Sequence, residues 1–115
     1  MAELSLDEWR GWLDANLTAH FITARTFLPV MTHGGSYTFI GGGAAHKPIP
    51  KYGAVCIPAA AQLMLVRVLV EENRGIGVRI NEVVLNSLIA TRERPADEQQ
   101  AQLTAEEVGR YIAWL

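Results

Sequence analysis

A chain of 115 residues is long enough for one globular domain. Half of its residues are hydrophobic and 19% are charged, and a net charge of −2 excludes the basic surface that binds nucleic acid or an anionic membrane. The single cysteine, Cys56, excludes an internal disulfide, and the N-terminal segment lacks the basic start and apolar core of a signal peptide. We therefore expect a soluble protein of the cytoplasm.

The first predicted element is a long helix over residues 5–32. Ser5 and Glu8 have the spacing of a capping box, in which the serine side chain accepts from the glutamate amide and the carboxylate reaches back. Gly34 and Gly35 end the helix. Hydrophobic residues at steps of three and four mark one face, namely Trp9, Trp12, Leu13, Leu17, Phe21, Ala24, Phe27, Leu28 and Met31.

A short strand follows over residues 36–41. Its sequence, SYTFIG, is rich in β-branched and aromatic residues and is bordered by glycines. The next segment, GGGAAHKPIPK, is predicted to be a loop, because Pro48 and Pro50 fix the backbone and remove amide donors.

A second helix is predicted over residues 52–73. Pro58 is compatible with it only in the first turn or at a bend. Hydrophobic residues cover nearly the whole circumference, so the pattern predicts burial on more than one side. Because Pro58 and Arg67 interrupt the apolar run, we interpret it as a buried helix and not as a membrane span.

The last part of the chain contains a strand, a linker and a helix. Residues 77–85, GVRINEVVL, have the nearly continuous apolar character of a parallel strand covered on both faces. Residues 92–102, RERPADEQQAQ, are predicted to be a solvated linker. A capping box at Thr104 and Glu107 opens a terminal helix over residues 104–115. Its apolar face consists of Val108, Ile112 and Leu115.

The order of these elements predicts an α/β fold in a single domain over residues 1–115. A strand, a long crossover helix and a second strand form a parallel unit. Two parallel strands alone leave both edges of the sheet unpaired, which globular proteins rarely tolerate. The pattern is typical of half of a doubly wound sheet, whose edges something else must cover.

Four segments resemble the C-terminal half of the short-chain dehydrogenases/reductases. They are DEWRGWLDANLTAHFITARTFLPVM, GGSYTFIGGGA, AAAQLMLVRVLVEENRGIGVRINEVV and LTAEEVGRYIAWL, and they follow the family order over nearly the whole chain. The resemblance implies a partial Rossmann-type fold that lacks the N-terminal nucleotide-binding half. It also implies hydride transfer with NAD(P)(H) and a catalytic set of asparagine, serine, tyrosine and lysine.

The resemblance places Asn16, in LDANLT, at the family asparagine, which supports a proton relay through water. It places Gly42 at the serine that polarises the substrate oxygen, so this hydroxyl is missing. Leu85-Asn86-Ser87 stands where the family usually has a Pro-Gly pair, and Thr91 is a loose match to a threonine that contacts the cofactor amide.

The family tyrosine and lysine have two possible positions. An ungapped match puts them at Ala54 and Pro58, and we prefer it because it needs no insertion inside a helix. Anchoring on Tyr52 instead puts cysteine, Cys56, at the lysine position. In both cases no ammonium group lies one turn after a tyrosine to lower its pKa. Asn16 and Tyr52 remain the candidate catalytic residues.

The other polar residues have weaker patterns. Glycines 41–43 precede a proline-bearing loop and not a helix N-terminus, so they do not match a phosphate-binding loop. Cys56 fits a small buried hydrophobe. The residues without a predicted site role are His20, His33 and His46, which lack metal-ligand spacing, and Lys47 and Lys51, which fit solvated charges.

We therefore expect a protein that is catalytically silent on its own, uses no cofactor as an isolated chain, and acts in assembly. The expected partner is a second copy, bound through helices 5–31 and 52–73, with no nucleic acid and no membrane. In the alternative, the chain is the C-terminal part of an NAD(P)-dependent oxidoreductase whose nucleotide-binding half is supplied elsewhere. A small-ligand site at Gly41–Lys51 rests only on the rule that α/β folds bind ligands at the carboxyl ends of strands.

Overall fold

The computed structural model describes residues 1–91 and 102–115. It contains a two-stranded parallel sheet, a second short parallel pair, and helices before, between and after the strands. The α/β class and the parallel pairing predicted from the sequence are confirmed. The predicted linker over 92–102 lies outside the described residues, apart from Gln102.

The first predicted helix is divided by a wider turn. Helix α1 spans Leu6–Leu13, a π-helical turn spans Asp14–Thr18, and helix α2 spans Ala19–Phe27, with a final 3₁₀ turn over Leu28–Val30. The capping box at the start of α1 forms as predicted: the Ser5 hydroxyl accepts from the Glu8 amide at 3.2 Å, and the Glu8 carboxylate accepts from the Ser5 amide at 2.9 Å.

The larger sheet joins strand β1, Ser36–Gly42, to strand β2, Arg79–Leu85. The register runs from Ser36 opposite Arg79 to Gly42 opposite Leu85, so both strands end at the same edge. Helix α3, Gly53–Glu72, forms the crossover between them. Before β2, Gly77 has a φ of +75°. The His33 ring occupies the space that a side chain at this position would need.

Phe39 of β1 is the centre of the core. Its ring lies 4.9 Å from the ring of Tyr37 and 5.7 Å from that of His20, measured between centroids. The buried cluster consists of Ala24, Leu28, Phe39 and Val66, with Met31, Tyr37, Leu69, Val78 and Ile80 packed against it. One face each of α2 and α3 is therefore joined to the sheet.

Helix α3 is only partly covered within one chain. It contacts both strands of the sheet, α1, the π turn and the turn after β1, but only Pro58, Gln62 and Val66 are buried along it. The predicted burial on more than one side is therefore not provided by the described residues of a single chain, and it stays a prediction. The exposed side chains include Ile57, Met64, Val68 and Val70, which are 39–54% exposed.

Helix α3 is also long and apolar enough to cross a membrane, judged by length and composition alone. Its mean hydropathy is 1.9 over a window of which 22% is buried in this fold.

The end of the chain folds around a second strand pair. Strand β3, Ile89–Ala90, lies parallel to strand β4, Leu103–Thr104, and helix α4 follows over Ala105–Trp114. The predicted capping box is present, since the Thr104 hydroxyl accepts from the Glu107 amide at 3.1 Å and the Glu107 carboxylate accepts in return. Two-residue strands carry no periodicity, so the sequence did not predict this pair.

Candidate functional site

A cleft lies at the carboxyl ends of β1 and β2, where α/β folds commonly hold their ligands. Its volume is about 420 Å³. The lining residues are Gly43, Ala44, Lys47, Ile49, Leu85, Asn86, Ser87 and Leu88. The walls are the turn after β1, which forms a 3₁₀ helix over Gly43–Ala45, and the segment after β2. The parallel register brings these two segments together.

The two walls approach each other at Gly43 and Asn86. A Cβ atom at position 43 would collide with the amide oxygen of Asn86, so a larger residue there would displace that side chain. The side chain of Asn86 therefore crosses the cleft toward the turn after β1. No pattern in the sequence predicted this contact, because it joins positions more than forty residues apart.

Gly42, which the resemblance places at the family serine, ends β1. Its backbone is extended, with φ −123° and ψ 158°, and no atom lies within 4 Å of a Cβ built there. The position would accept a serine side chain without collision. The fold therefore keeps room for a hydroxyl that the sequence does not supply.

Tyr52 is the N-cap residue of α3. Its carbonyl accepts from the amides of Val55 and Cys56, both at 2.9 Å, whereas its side chain is 60% exposed. Within residues 1–91 and 102–115, no lysine or arginine hydrogen-bonds to its hydroxyl.

The preferred, ungapped alignment puts the family tyrosine and lysine at Ala54 and Pro58. Pro58 lies inside α3, beyond the first turn, and is fully buried. Its ring removes the helical hydrogen bond to the carbonyl of Ala54. A buried proline can neither hold a ribose nor lower the pKa of a neighbouring hydroxyl, so this position supplies no cation.

Asn16 lies in the π turn between α1 and α2. There the Ala19 amide bonds to the Asp14 carbonyl, five residues back. The Asn16 side chain donates to the Trp12 carbonyl at 3.0 Å and so binds within its own helix. The π turn packs against α3. Single π turns are frequent at functional sites, and the helical pattern of the sequence did not reveal this one.

Glu82 and Gln62 form a polar contact inside the fold that the sequence analysis missed. Gln62 is 5% exposed, and its Nε2 donates to the Ile40 carbonyl and to Glu82 Oε1, both at 3.1 Å. Glu82 Oε2 is buried and has no partner among the described residues. Burial raises the pKa of Glu82, while the hydrogen bond from Gln62 opposes the shift. A lone carboxylate inside a strand predicted to be covered on both faces was the available signal.

The remaining candidates are dispersed. Cys56 is a half-buried free thiol of α3, and Lys47 lines the cleft. The His20 ring packs on Phe39, and the His33 ring packs on Gly77. In the part of the chain that the structure describes, no three histidine, cysteine, aspartate or glutamate side chains lie together as a metal site.

Comparison with known proteins gives a consistent result. All 115 residues match the family model described as enoyl-(acyl carrier protein) reductase. A curated relative, the short-chain type dehydrogenase/reductase of Picea abies, is 30% identical over 83 residues, which are 70% of this chain and 31% of that protein. The chain thus spans about a third of that relative.

Solved structures share the fold. A short-chain dehydrogenase/reductase from Serratia marcescens superposes with a TM-score of 0.87 at 20% identity, over 100% of this chain and 51% of its own. A short-chain dehydrogenase from Burkholderia cenocepacia, solved in complex with NADP, superposes with a TM-score of 0.85 at 20% identity, over 99% of this chain and 51% of its own. The chain therefore spans about half the length of these structures.

The described residues do not fit the pyrophosphate of a dinucleotide. Such a group is bound by a glycine-rich turn that opens an α-helix. Here the glycines after β1 open a single 3₁₀ turn, Gly43–Ala45, which is followed by His46 and a loop. No step of a hydride transfer follows from these residues alone.

Proposed function

Since this chain belongs to the short-chain dehydrogenase/reductase family, we propose that it is a member that is catalytically silent on its own and acts in assembly. The observation that supports the proposal is the set of residues found at the positions that the resemblance assigns to the family's serine, lysine and tyrosine. Gly42 supplies no hydroxyl, Pro58 is a buried imino acid, and Tyr52 has no cationic partner among the described residues. Members of a catalytic set act as a unit, so losing two of them typically costs several orders of magnitude in rate.

The proposed assembly is a twofold dimer formed through helices 5–31 and 52–73. Both helices carry large exposed hydrophobic side chains, and a dimer interface would remove these side chains from contact with water. On the first they are Leu6, Trp12, Phe21, Ile22, Phe27 and Val30, and on α3 they are Ile57, Met64, Val68 and Val70. A self-complementary patch on each copy is what a twofold interface requires.

The mass of the protein in solution tests this proposal. We expect the wild type to be a dimer at micromolar concentration. Met64→Glu should be a monomer, because Met64 is 54% exposed on α3 and burying an unpaired charge at the interface costs several kcal/mol. Trp114→Glu is the matched control: Trp114 is 79% exposed but lies on α4, so this variant should stay dimeric. A monomeric wild-type chain would contradict the assembly role.

A second function is supported by the comparisons. The solved relatives have about twice the length of this chain, and one of them was solved with NADP. The chain would then be the C-terminal part of an NAD(P)-dependent oxidoreductase whose nucleotide-binding half is supplied elsewhere. Its cleft, at the carboxyl ends of β1 and β2, would provide the substrate side of that enzyme.

Cofactor binding distinguishes the two functions. The isolated chain should show no quenching of tryptophan fluorescence and no thermal stabilisation with NADH or NADPH. Under the first function, adding a separately expressed nucleotide-binding half from a family member should still give no such quenching or stabilisation of this chain. Under the second, the mixture should bind NADPH and oxidise it in the presence of a carbonyl substrate.

A further inference from the structure

Glu82 of β2 lies in the layer between the sheet and α3. Its Oε1 accepts from Gln62 Nε2 of α3 at 3.1 Å, and the same nitrogen donates to the Ile40 carbonyl of β1 at 3.1 Å. Gln62 is 5% exposed, and Val66, one turn further along α3, belongs to the buried cluster. One side-chain amide therefore connects the helix to both strands of the sheet.

The carboxyl group of Glu82 is enclosed by the described residues. Oε1 occupies the space that a Cβ atom at Gly41 would need, so the carboxyl group lies directly over β1. Oε2 is buried and has no hydrogen-bond partner in the part of the chain that the structure describes. Because no solvent reaches Oε2, neither a water molecule nor a further segment of chain can contact it while the surrounding atoms stay in place. The lack of a partner is therefore a property of the packing of α3 on the sheet.

The charges around Glu82 do not compensate for its burial. Burial raises the pKa of Glu82, and the hydrogen bond from Gln62 and the charges of His46 and Arg67 oppose this shift without cancelling it. Other titratable groups near this position are Glu71 of α3 and Glu107 of α4, which line grooves together with Glu82, and Tyr37, two residues before its register partner on β1. The two carboxylates among them have partners of their own, an ion pair and a capping box. The neutral carboxyl group is therefore the form of Glu82 that the packed helix accommodates.

We propose that Glu82 makes the attachment of α3 to the sheet dependent on pH. The neutral carboxyl group stays enclosed, whereas the ionised one opens the contact, because moving α3 outward lets water reach Oε2. Since α3 is one of the two helices of the proposed dimer, the same titration regulates assembly, and this consequence rests on the proposed function.

The direction of the effect follows from the two states of the contact. With α3 packed, burial holds the pKa of Glu82 above 4.5, and with the contact open the carboxyl group meets water and titrates near 4.5. The packed state therefore binds the proton more tightly and is favoured most below pH 4.5. Its advantage decreases as the pH rises to the packed pKa of Glu82, and above that pH the opening equilibrium no longer depends on this group.

Hydrogen exchange of the α3 amides measures the opening in the full, isotope-labelled chain at one protein concentration. After correction for intrinsic exchange, the protection of the Leu63 and Val66 amides should fall about fivefold as the pH rises through the pKa of Glu82, which the carbon resonance of its carboxyl group reports. In Glu82→Gln, which cannot ionise, protection should stay constant over the same range. Glu72→Gln, a control at the exposed end of α3, should behave as the wild type.

The exchange data can overturn the proposal without reference to the dimer. They would do so if the protection of α3 in the wild type were independent of pH, a result that needs no variant to fold. The same pH dependence in Glu82→Gln would also overturn it. So would equal opening free energies for the α3 amides and the Phe39 amide of β1, because only unfolding of the whole chain would then respond to pH.

The dissociation constant of the dimer, measured at the same pH values, tests the consequence for assembly. It should rise about fivefold in the wild type and stay constant in Glu82→Gln. A wild-type dimer whose dissociation constant does not change with pH would refute the regulation of assembly. A chain that is monomeric at every pH would contradict the proposed function, while the exchange data still decide whether Glu82 opens α3.

Discussion

Replacing Glu82 by glutamine isolates the cost of a buried carboxylate. The change keeps an oxygen that can accept from Gln62 Nε2, a bond of 3.1 Å in the wild type, and it removes the negative charge. Burial raises the pKa of Glu82, and the hydrogen bond from Gln62 and the charges of His46 and Arg67 oppose the shift. The ionised form is therefore less stable in the folded chain than in the unfolded one, and Glu82→Gln should be more stable than the wild type at pH 7.

The size of the gain follows from the geometry. Leaving a buried polar atom unpaired costs about 1–3 kcal/mol, and more when it is charged. Glutamine places an unpaired NH2 group at the position of Glu82 Oε2, so only the additional cost of the charge is removed; because the residue is half-buried, we take about 1 kcal/mol for it. For a domain of this size, that corresponds to a rise in Tm of about 4 °C.

The raised pKa of Glu82 also predicts how the stability difference between Glu82→Gln and the wild type changes with pH. A glutamate with a raised pKa contributes most to stability below its unfolded value, here 4.5, and this contribution is lost as the pH rises through the folded pKa. The advantage of Glu82→Gln should therefore be largest at neutral pH and disappear in acid.

Urea denaturation across this pH range, at one fixed protein concentration, measures the difference. Glu72→Gln is the control, because Glu72 is an exposed glutamate at the end of α3 and its substitution should change the free energy of unfolding by less than about 0.5 kcal/mol. If Glu82→Gln were no more stable than the wild type at pH 7, or equally favoured at every pH, the account of this carboxylate would be refuted.

Three further predictions concern single positions. Gly77→Ala should lower the free energy of unfolding by about 2 kcal/mol, since a φ of +75° strains a side chain and the new methyl meets the His33 ring; an unchanged urea midpoint would contradict this. Thr104→Ala should cost about 1 kcal/mol through the lost cap of α4. Hydrogen bonds from Thr104 lower the pKa of Glu107, so the difference from the wild type should be present above pH 4.5 and shrink as the pH falls; a pH-independent difference would argue against the capping box. Gly42→Ser should melt within about 2 °C of the wild type, because the backbone at Gly42 is extended and no atom lies close to the position of the new Cβ atom. A larger decrease in Tm would contradict this description of the position.

Local sequence signals predicted what depends on neighbours along the chain. Ser5 with Glu8 and Thr104 with Glu107 defined the starts of α1 and α4, because a capping box closes over three residues. The β-branched and aromatic residues of β1 and the length of the crossover predicted a parallel pair. The family resemblance rested on the same segments and is confirmed by the family match.

The candidate site was predicted only in outline. The resemblance predicted that Gly42 replaces the family serine and that Pro58, or Cys56 in the second register, replaces the lysine, since this needs only an alignment along the chain. It did not show that Asn16 binds its own helix in a π turn, nor that Asn86 crosses to Gly43. Whether Asn16 and Tyr52 take part in any reaction stays a prediction.

The amino-acid sequence by itself determined the main helices and the strands β1 and β2, because capping, turn chemistry and hydrophobic spacing act over a few residues. Only the tertiary structure decided which distant groups meet. The packing of α3 on the sheet places Glu82 beside Gln62, twenty positions away, and the register of β1 against β2 brings the ends of both strands to the same edge. Such contacts follow from the packing of one element on another, and that packing depends on the summed burial of many side chains, which no local pattern records.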